Sequence, residues 1–282
     1  MVAILGGSGA AVAFAAATLC VSVSARRIGP ASTLAWVAMS GLCIALPWAL
    51  VDGMPAGLGP ADLAWLAVSG FGNVIGLLFA YSALRVGQVG LVAPIVSTEG
   101  AAAALIAVAA GEAISAGVGL ALAVIAGGVA VAAASRAPDE VAGRSALRAP
   151  SFAVAAALCF GASIYATGRA SEVLPLGWVV APPRVVGTIL VALPLLSTAE
   201  LRLTRPLLPL VVGAGVAEVA GFAAYAVGAR HGIAVSAVLA SQFAAIAGVA
   251  AYFVFRERLT RVQLAGIAAV VGGVAALTLL QA

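Results

Sequence analysis

Three ionisable side chains stand inside long apolar runs of this chain: Glu99, Arg184 and Glu218. A charge inside hydrocarbon costs several kcal/mol unless it faces a cavity or a partner, so each marks a candidate functional position. Neutral polar side chains stand in the same kind of surroundings: Asn73, Ser97, Ser163 and Gln242, with the aromatic hydroxyls of Tyr81 and Tyr225. Groups of this kind recognise a small guest by hydrogen bonding and charge. A carboxylate can in addition take up a proton on one side and release it on the other, which makes Glu99 and Glu218 the coupling candidates.

Covalent chemistry finds no such support. The single histidine, His231, sits in a tight turn between Arg230 and Gly232, and there is no HExxH, GxSxG or Cys/His set. Cys20, Cys43 and Cys159 lie in apolar stretches without CxxC spacing and read as small buried hydrophobes. No catalytic residue, metal ligand or cofactor is therefore expected, and the chain does not read as an enzyme.

The polar positions fall on faces of helical period. Gly215, Glu218, Gly221, Phe222 and Tyr225 share one face, and Gly70, Asn73, Gly76 and Leu77 share another. Small residues around a polar centre fit the wall of a cavity. The same glycines also fit close helix packing, as a GxxxG contact through Gly72 and Gly76, with Glu218 paired to Arg184. The substrate-binding candidates are thus Asn73, Tyr81, Ser97, Glu99, Ser163, Arg184, Glu218, Phe222, Tyr225 and Gln242. Thr18 and Ser22, with Cys159 beside Ser163, form shorter polar stripes.

The elements holding these residues must live in a bilayer. Of 282 residues 64% are hydrophobic and 9% charged, against about 25% charged in a soluble domain. Crossing about 30 Å of hydrocarbon takes roughly 20 apolar residues in a helix. Ten stretches have that length: 3–23, 31–51, 61–85, 89–110, 115–134, 151–169, 178–198, 207–229, 233–255 and 262–281. Turn and charged residues separate them, among them Arg26-Arg27-Ile28-Gly29-Pro30 and Asp52-Gly53-Met54-Pro55. Val23-Ser24-Ala25 resembles the end of a cleaved signal, but no positive residue precedes the apolar run, so the first stretch is read as a span.

One connection is long and polar, 135–150, with Arg136, Asp139, Glu140, Arg144 and Arg148. It divides the chain at its middle, and the two sides are related: residue n of spans three to five matches residue n+145 of spans eight to ten. Arg85 meets Arg230, Glu112 meets Glu257, Gly76 meets Gly221, and Asn73 meets Glu218. Five spans is an odd number, so a second copy enters the membrane from the opposite side. The expected fold is an all-α membrane protein of ten transmembrane helices in two inverted five-helix repeats, the construction of many secondary transporters.

Gly111-Glu112 through Val129, and Phe255-Arg256-Glu257-Arg258-Leu259 through Gln263, Gly266 and Gly272-Gly273-Val274, resemble the repeat-ending signature of the EamA-type drug/metabolite transporters. The resemblance covers essentially the whole chain, with one EamA-like repeat in 1–134, a linker in 135–150 and a second repeat in 151–282. It implies export of amino acids, related metabolites or toxic compounds. This chain departs from the pattern where Gly100 follows Glu99 in place of the usual proline, and where the matching part of span nine lacks a glutamate.

The expected function is a secondary transporter that exports a small metabolite such as an amino acid by alternating access. A non-transporting membrane receptor or scaffold is the alternative, and an intramembrane enzyme a weaker one. Expected partners are a small-molecule substrate and the lipid bilayer, in a monomer or homodimer at the bacterial inner membrane. The 14 basic residues are all arginine and lie mostly between spans, which does not make a nucleic-acid face. Loops after odd spans carry 11 of them and loops after even spans 2. The positive-inside rule then puts both termini outside, against the usual description of the superfamily.

Overall fold

In a computed structural model the chain is described over residues 1–87, 89–134 and 148–255, and over 261–262, 264–266, 268–269, 272–273 and 276 of the remainder. Residues 135–147, with Arg136, Asp139, Glu140 and Arg144, lie outside the described residues, as do the motif residues Arg256, Glu257, Arg258, Leu259, Gln263 and Val274.

The described residues are helical, with no strand among them. Helix α1 spans Val2–Ile28, α2 Pro30–Asp52 and α3 Pro60–Val86. Gly29, at φ 87°, is the single residue between the first two. Pro30 and Pro60 open their helices where a missing N–H costs nothing, and Asp62 accepts the Gly59 N–H at 2.9 Å. Next come α4 (Val89–Val96), α5 (Glu99–Ala109) and α6 (Ala116–Ala134). Helix α7 (Arg148–Ser171) starts earlier than the sequence implied, taking in Arg148 from the expected linker.

Helix α8 (Leu176–Gly187) passes through a π turn at Thr188–Ala192 into the short α9 (Leu193–Ser197). Pro182 and Pro183 stand inside α8 and cannot donate to its ladder. The chain continues as α10 (Leu208–Ala229), α11 (Ile233–Ala240) and α12 (Phe243–Phe255).

Among the described residues seven helical stretches are long and apolar enough to cross a membrane: 2–28, 30–52, 60–86, 148–171, 176–197, 205–229 and 233–250. The expected spans 89–110 and 115–134 are occupied by α4, α5 and α6, and 262–281 lies largely outside the described residues. Large apolar side chains face outward along these helices, Leu50, Leu105 and Leu158 among them. That surface suits lipid and not water.

Two expected spans differ from an unbroken rod. Regular helix lapses between α4 and α5 at Ser97-Thr98, and between α11 and α12 at Ser241-Gln242. At each lapse hydroxyls turn back on the chain, Thr98 Oγ1 donating to the Ile95 carbonyl at 2.8 Å and Ser241 Oγ to the Val238 carbonyl at 2.7 Å. The Ile95 carbonyl also keeps a backbone donor, the Thr98 N–H at 3.2 Å, whereas the Gln242 N–H turns to Leu239 and leaves the Val238 carbonyl to side-chain donors.

The extensive pairings join helices before the polar connection to helices after it: α1 with α10, α3 with α7, α2 with α8, and α5 with α11. Small residues set the approach. Gly6 lies against Gly228 and Phe14 against Gly221, so α1 and α10 run in opposite directions. Gly72 meets Ser163 and Gly76 meets Phe160, giving α3 and α7 the same antiparallel register.

Tethers at the helix ends repeat the theme. Trp178 Nε1 donates to the Gly53 carbonyl at 2.7 Å, and Trp36 Nε1 to the Arg202 carbonyl at 3.0 Å. Each tryptophan thus holds the chain just past the end of the opposite partner in the α2 and α8–α9 pair.

Candidate functional site

One cavity opens among α1, α3, α4, α5, α7, α10 and α12, with about 630 Å³ of empty space, part of it open to solvent. Its polar walls are Thr18, Asn73, Tyr81, Glu99 and Glu218, and its aromatic walls include Phe14, Phe160, Phe222 and Phe243.

Glu218, from the middle of α10, is held from behind. Arg184 Nη2 donates to Glu218 Oε2 at 3.2 Å, and the guanidinium carbon stands 5.2 Å from the centroid of the Phe222 ring. Arg184 is fully buried, and its path crosses Gly41, where an added Cβ would lie 2.8 Å from Arg184 Cδ. Its Nε and Nη1 have no partner among the described residues. A buried arginine so poorly served persists because the carboxylate and the aromatic face offset its desolvation.

Glu99 opens α5 one residue after the lapse at Ser97-Thr98 and is 4% exposed. No described residue donates to its carboxylate or pairs with it. Asn73 reaches the cavity from α3, and neither its Oδ1 nor the Tyr81 hydroxyl, two turns on, has a partner among the described residues. Buried polar atoms without partners are uncommon, and their gathering around one cavity points to a guest or to water.

Five of the candidate residues therefore share the cavity: Asn73, Tyr81, Glu99, Glu218 and Phe222. Arg184 stands behind it. Ser163 instead donates to the Ser69 carbonyl at 2.8 Å, within a network in which Ser69 Oγ and Thr167 Oγ1 lie 2.7 Å apart, joining α3 to α7. The Tyr225 hydroxyl donates to the Ile164 carbonyl at 2.9 Å and ties α10 to α7. Gln242 Nε2 donates to the Val238 carbonyl at 2.9 Å, leaving its Oε1 unpartnered at the lapse before α12. Ser97 is buried at the matching lapse, and neither it nor Gln242 lines the cavity.

The glycines of the two faces serve approach between helices. An added Cβ at Gly76 would sit 2.6 Å from Phe160 ring carbons, and one at Gly221 would meet the Phe14 ring as closely. Gly215 is pressed against Ser40 and Val37 of α2. The departure at Gly100 has a steric reason, because a Cβ there would lie 2.6 Å from Ser241 Oγ and 2.7 Å from the Ala237 carbonyl.

The aromatic walls Phe14, Phe160 and Phe243 escape a reading based on polarity. Phe14 and Phe160 do carry a signal, since each lies on one member of the glycine pair Gly76 and Gly221 that the offset aligns.

The model of the EamA-like transporter family matches the chain in two stretches, residues 1–134 and 147–279. The chain belongs to the EamA-like transporter family. EamA-like proteins belong to the drug/metabolite transporter superfamily, and this family member is a multi-pass membrane protein of the drug/metabolite transporter type. Members of the EamA family are transporters and not enzymes. No curated protein matches the sequence. A solved crystal structure shares the fold, with a TM-score of 0.76 and 20% identity over 99% of this chain and 96% of that one.

Proposed function

We propose that this EamA-like chain is a secondary transporter that exports a small metabolite of amino-acid size across a bacterial inner membrane by alternating access. Its cargo binds in the cavity bounded by Asn73, Glu99 and Glu218 between two inverted five-helix repeats. The observation that carries the reading is the pair of buried polar atoms without partners among the described residues, Asn73 Oδ1 and the Tyr81 hydroxyl, facing the same space as the Glu99 carboxylate.

The pairing of helices supports the inverted arrangement. The first helix of one half packs along the third helix of the other in both directions, α1 on α10 and α7 on α3. An inverted repeat places the same contacts on both sides of a pseudo-two-fold axis, and rocking about such an interface opens a central site to each side in turn. The interrupted helices, at Ser97-Thr98 and Ser241-Gln242, fall within a residue of each other under the offset and resemble the discontinuous helices of other secondary transporters. Glu99 and Glu218 are the groups that would carry a coupling proton.

Counterflow in proteoliposomes tests the proposal. Liposomes preloaded with a mixture of unlabelled amino acids and related metabolites should accumulate a labelled member of that mixture transiently. The Asn73→Leu and Glu218→Gln variants should lose most of that accumulation. Accumulation unaltered in both variants would contradict the assignment of the cavity, and an imposed pH gradient that leaves the wild-type rate unchanged would remove proton coupling.

A further inference from the structure

The charges on the cavity wall do not balance. Its ionisable carboxylates are Glu99 and Glu218, and among the described residues no arginine, lysine or histidine lines it. Glu218 already has Arg184 at 3.2 Å, and the guanidinium is engaged from behind the wall by Glu218 and the Phe222 face. Glu99 is left as a buried carboxylate with no counter-charge among the described residues. The atoms of the same cavity lining that have no partner among the described residues include an acceptor, Asn73 Oδ1, and the Tyr81 hydroxyl, which can accept as well as donate. Phe14, Phe160 and Phe243 supply apolar and aromatic surface around them.

We propose that the cavity selects its cargo for positive charge: an organic ammonium ion places its N–H donors on Glu99 and Asn73, with its apolar part against the phenylalanines. This rests on the reading of the cavity as the transport site and narrows the cargo within it. An ammonium group brings three donors and no acceptor, which complements the Glu99 carboxylate and Asn73 Oδ1, and aromatic rings favour a nearby cation through their quadrupoles. A zwitterion fits less well. Its carboxylate would enter a site that already holds two carboxylates and offers no cation from its walls.

Equilibrium binding to the full-length protein in liposomes tests this, with tritiated 2-phenylethylamine as the probe. The competitors are phenylalanine, 3-phenylpropionate and 2-phenylethanol, which keep the ring and change the charge to zwitterionic, anionic and neutral. The proposal predicts that unlabelled phenylethylamine competes at least about tenfold better than each of the other three. Glu99→Gln should weaken probe binding by at least about tenfold, and Glu99→Asp should keep the preference for the cation.

Equal competition by the alcohol or by phenylalanine would overturn the inference, as would unchanged binding in Glu99→Gln or absence of saturable binding by the folded wild type. The competition order on wild-type protein decides the matter even if Glu99→Gln fails to fold. A failure confined to charge preference leaves the transport reading standing, because counterflow of another solute is scored independently.

Discussion

Arg184 of α8 donates to Glu218 of α10 across 3.2 Å, the arginine from behind the wall of the cavity and the carboxylate on the wall itself. The arginine fixes the carboxylate that faces the guest and neutralises it, so one contact sets both the shape and the charge of the site. Breaking it is costly because the remaining partner stays buried without compensation.

Arg184→Leu should accordingly lower stability by about 3–5 kcal/mol, the range for removing one partner of a buried pair. Thermal unfolding of the detergent-purified protein measures this. The double variant Arg184→Leu/Glu218→Leu should recover much of the loss, since neither charge is then stranded. A double variant less stable than Arg184→Leu alone would show that the pair contributes more than mutual compensation.

Phe14 on Gly221 and Phe160 on Gly76 form two ring-on-glycine contacts between the halves. Gly76→Ala and Gly221→Ala should force each ring from its place, at about 1–3 kcal/mol for overpacking. Because both rings line the cavity, counterflow should fall as well. Pairing Gly221→Ala with Phe14→Leu, or Gly76→Ala with Phe160→Leu, should restore stability. No recovery in either pair would refute the steric account.

Two carboxylates of the first half, one at the end of α2 and one in the turn after α5, cap helices of the second half. Asp52 Oδ2 accepts the Gly177 N–H at 2.8 Å near the start of α8, and Glu112 accepts the Ala234 N–H at 3.2 and 3.3 Å near the start of α11. Asp52→Ala and Glu112→Ala should each cost about 0.5–2 kcal/mol, as loss of an N-terminal cap does. The effects should add to within about 0.5 kcal/mol, because the caps belong to different helices. Unfolding midpoints of the single and double variants provide the check.

The membrane class and the buried polar positions were legible in the sequence, because hydrocarbon tolerates so few charges that Glu99, Arg184 and Glu218 stand out against the apolar runs. Their division of labour was not. The alternatives for Glu218, cavity lining or pairing with Arg184, are both realised, since one carboxylate oxygen meets the guanidinium while the side chain still faces the cavity.

Tyr225 and Ser163 share their types with cavity residues, yet hydroxyls on a buried helix face serve a neighbouring carbonyl equally well, and only the packing shows which is served. The lapses at Ser97-Thr98 and Ser241-Gln242 were hidden because the runs around them are continuously apolar. Phe14, Phe160 and Phe243 carry no polar mark at all, and the places of Phe14 and Phe160 on the wall follow from the glycines, Gly221 and Gly76, that let the helices approach.

Accessibility of the cavity from the two sides of the membrane bears most directly on the account. With Cys20, Cys43 and Cys159 replaced by serine, Thr18→Cys places a single thiol on the cavity wall. A membrane-impermeant maleimide is then applied to right-side-out and to inside-out vesicles. The account predicts labelling from both sides, with a saturating transported solute slowing it in each orientation. Labelling from one side alone under every condition would contradict alternating access through this cavity.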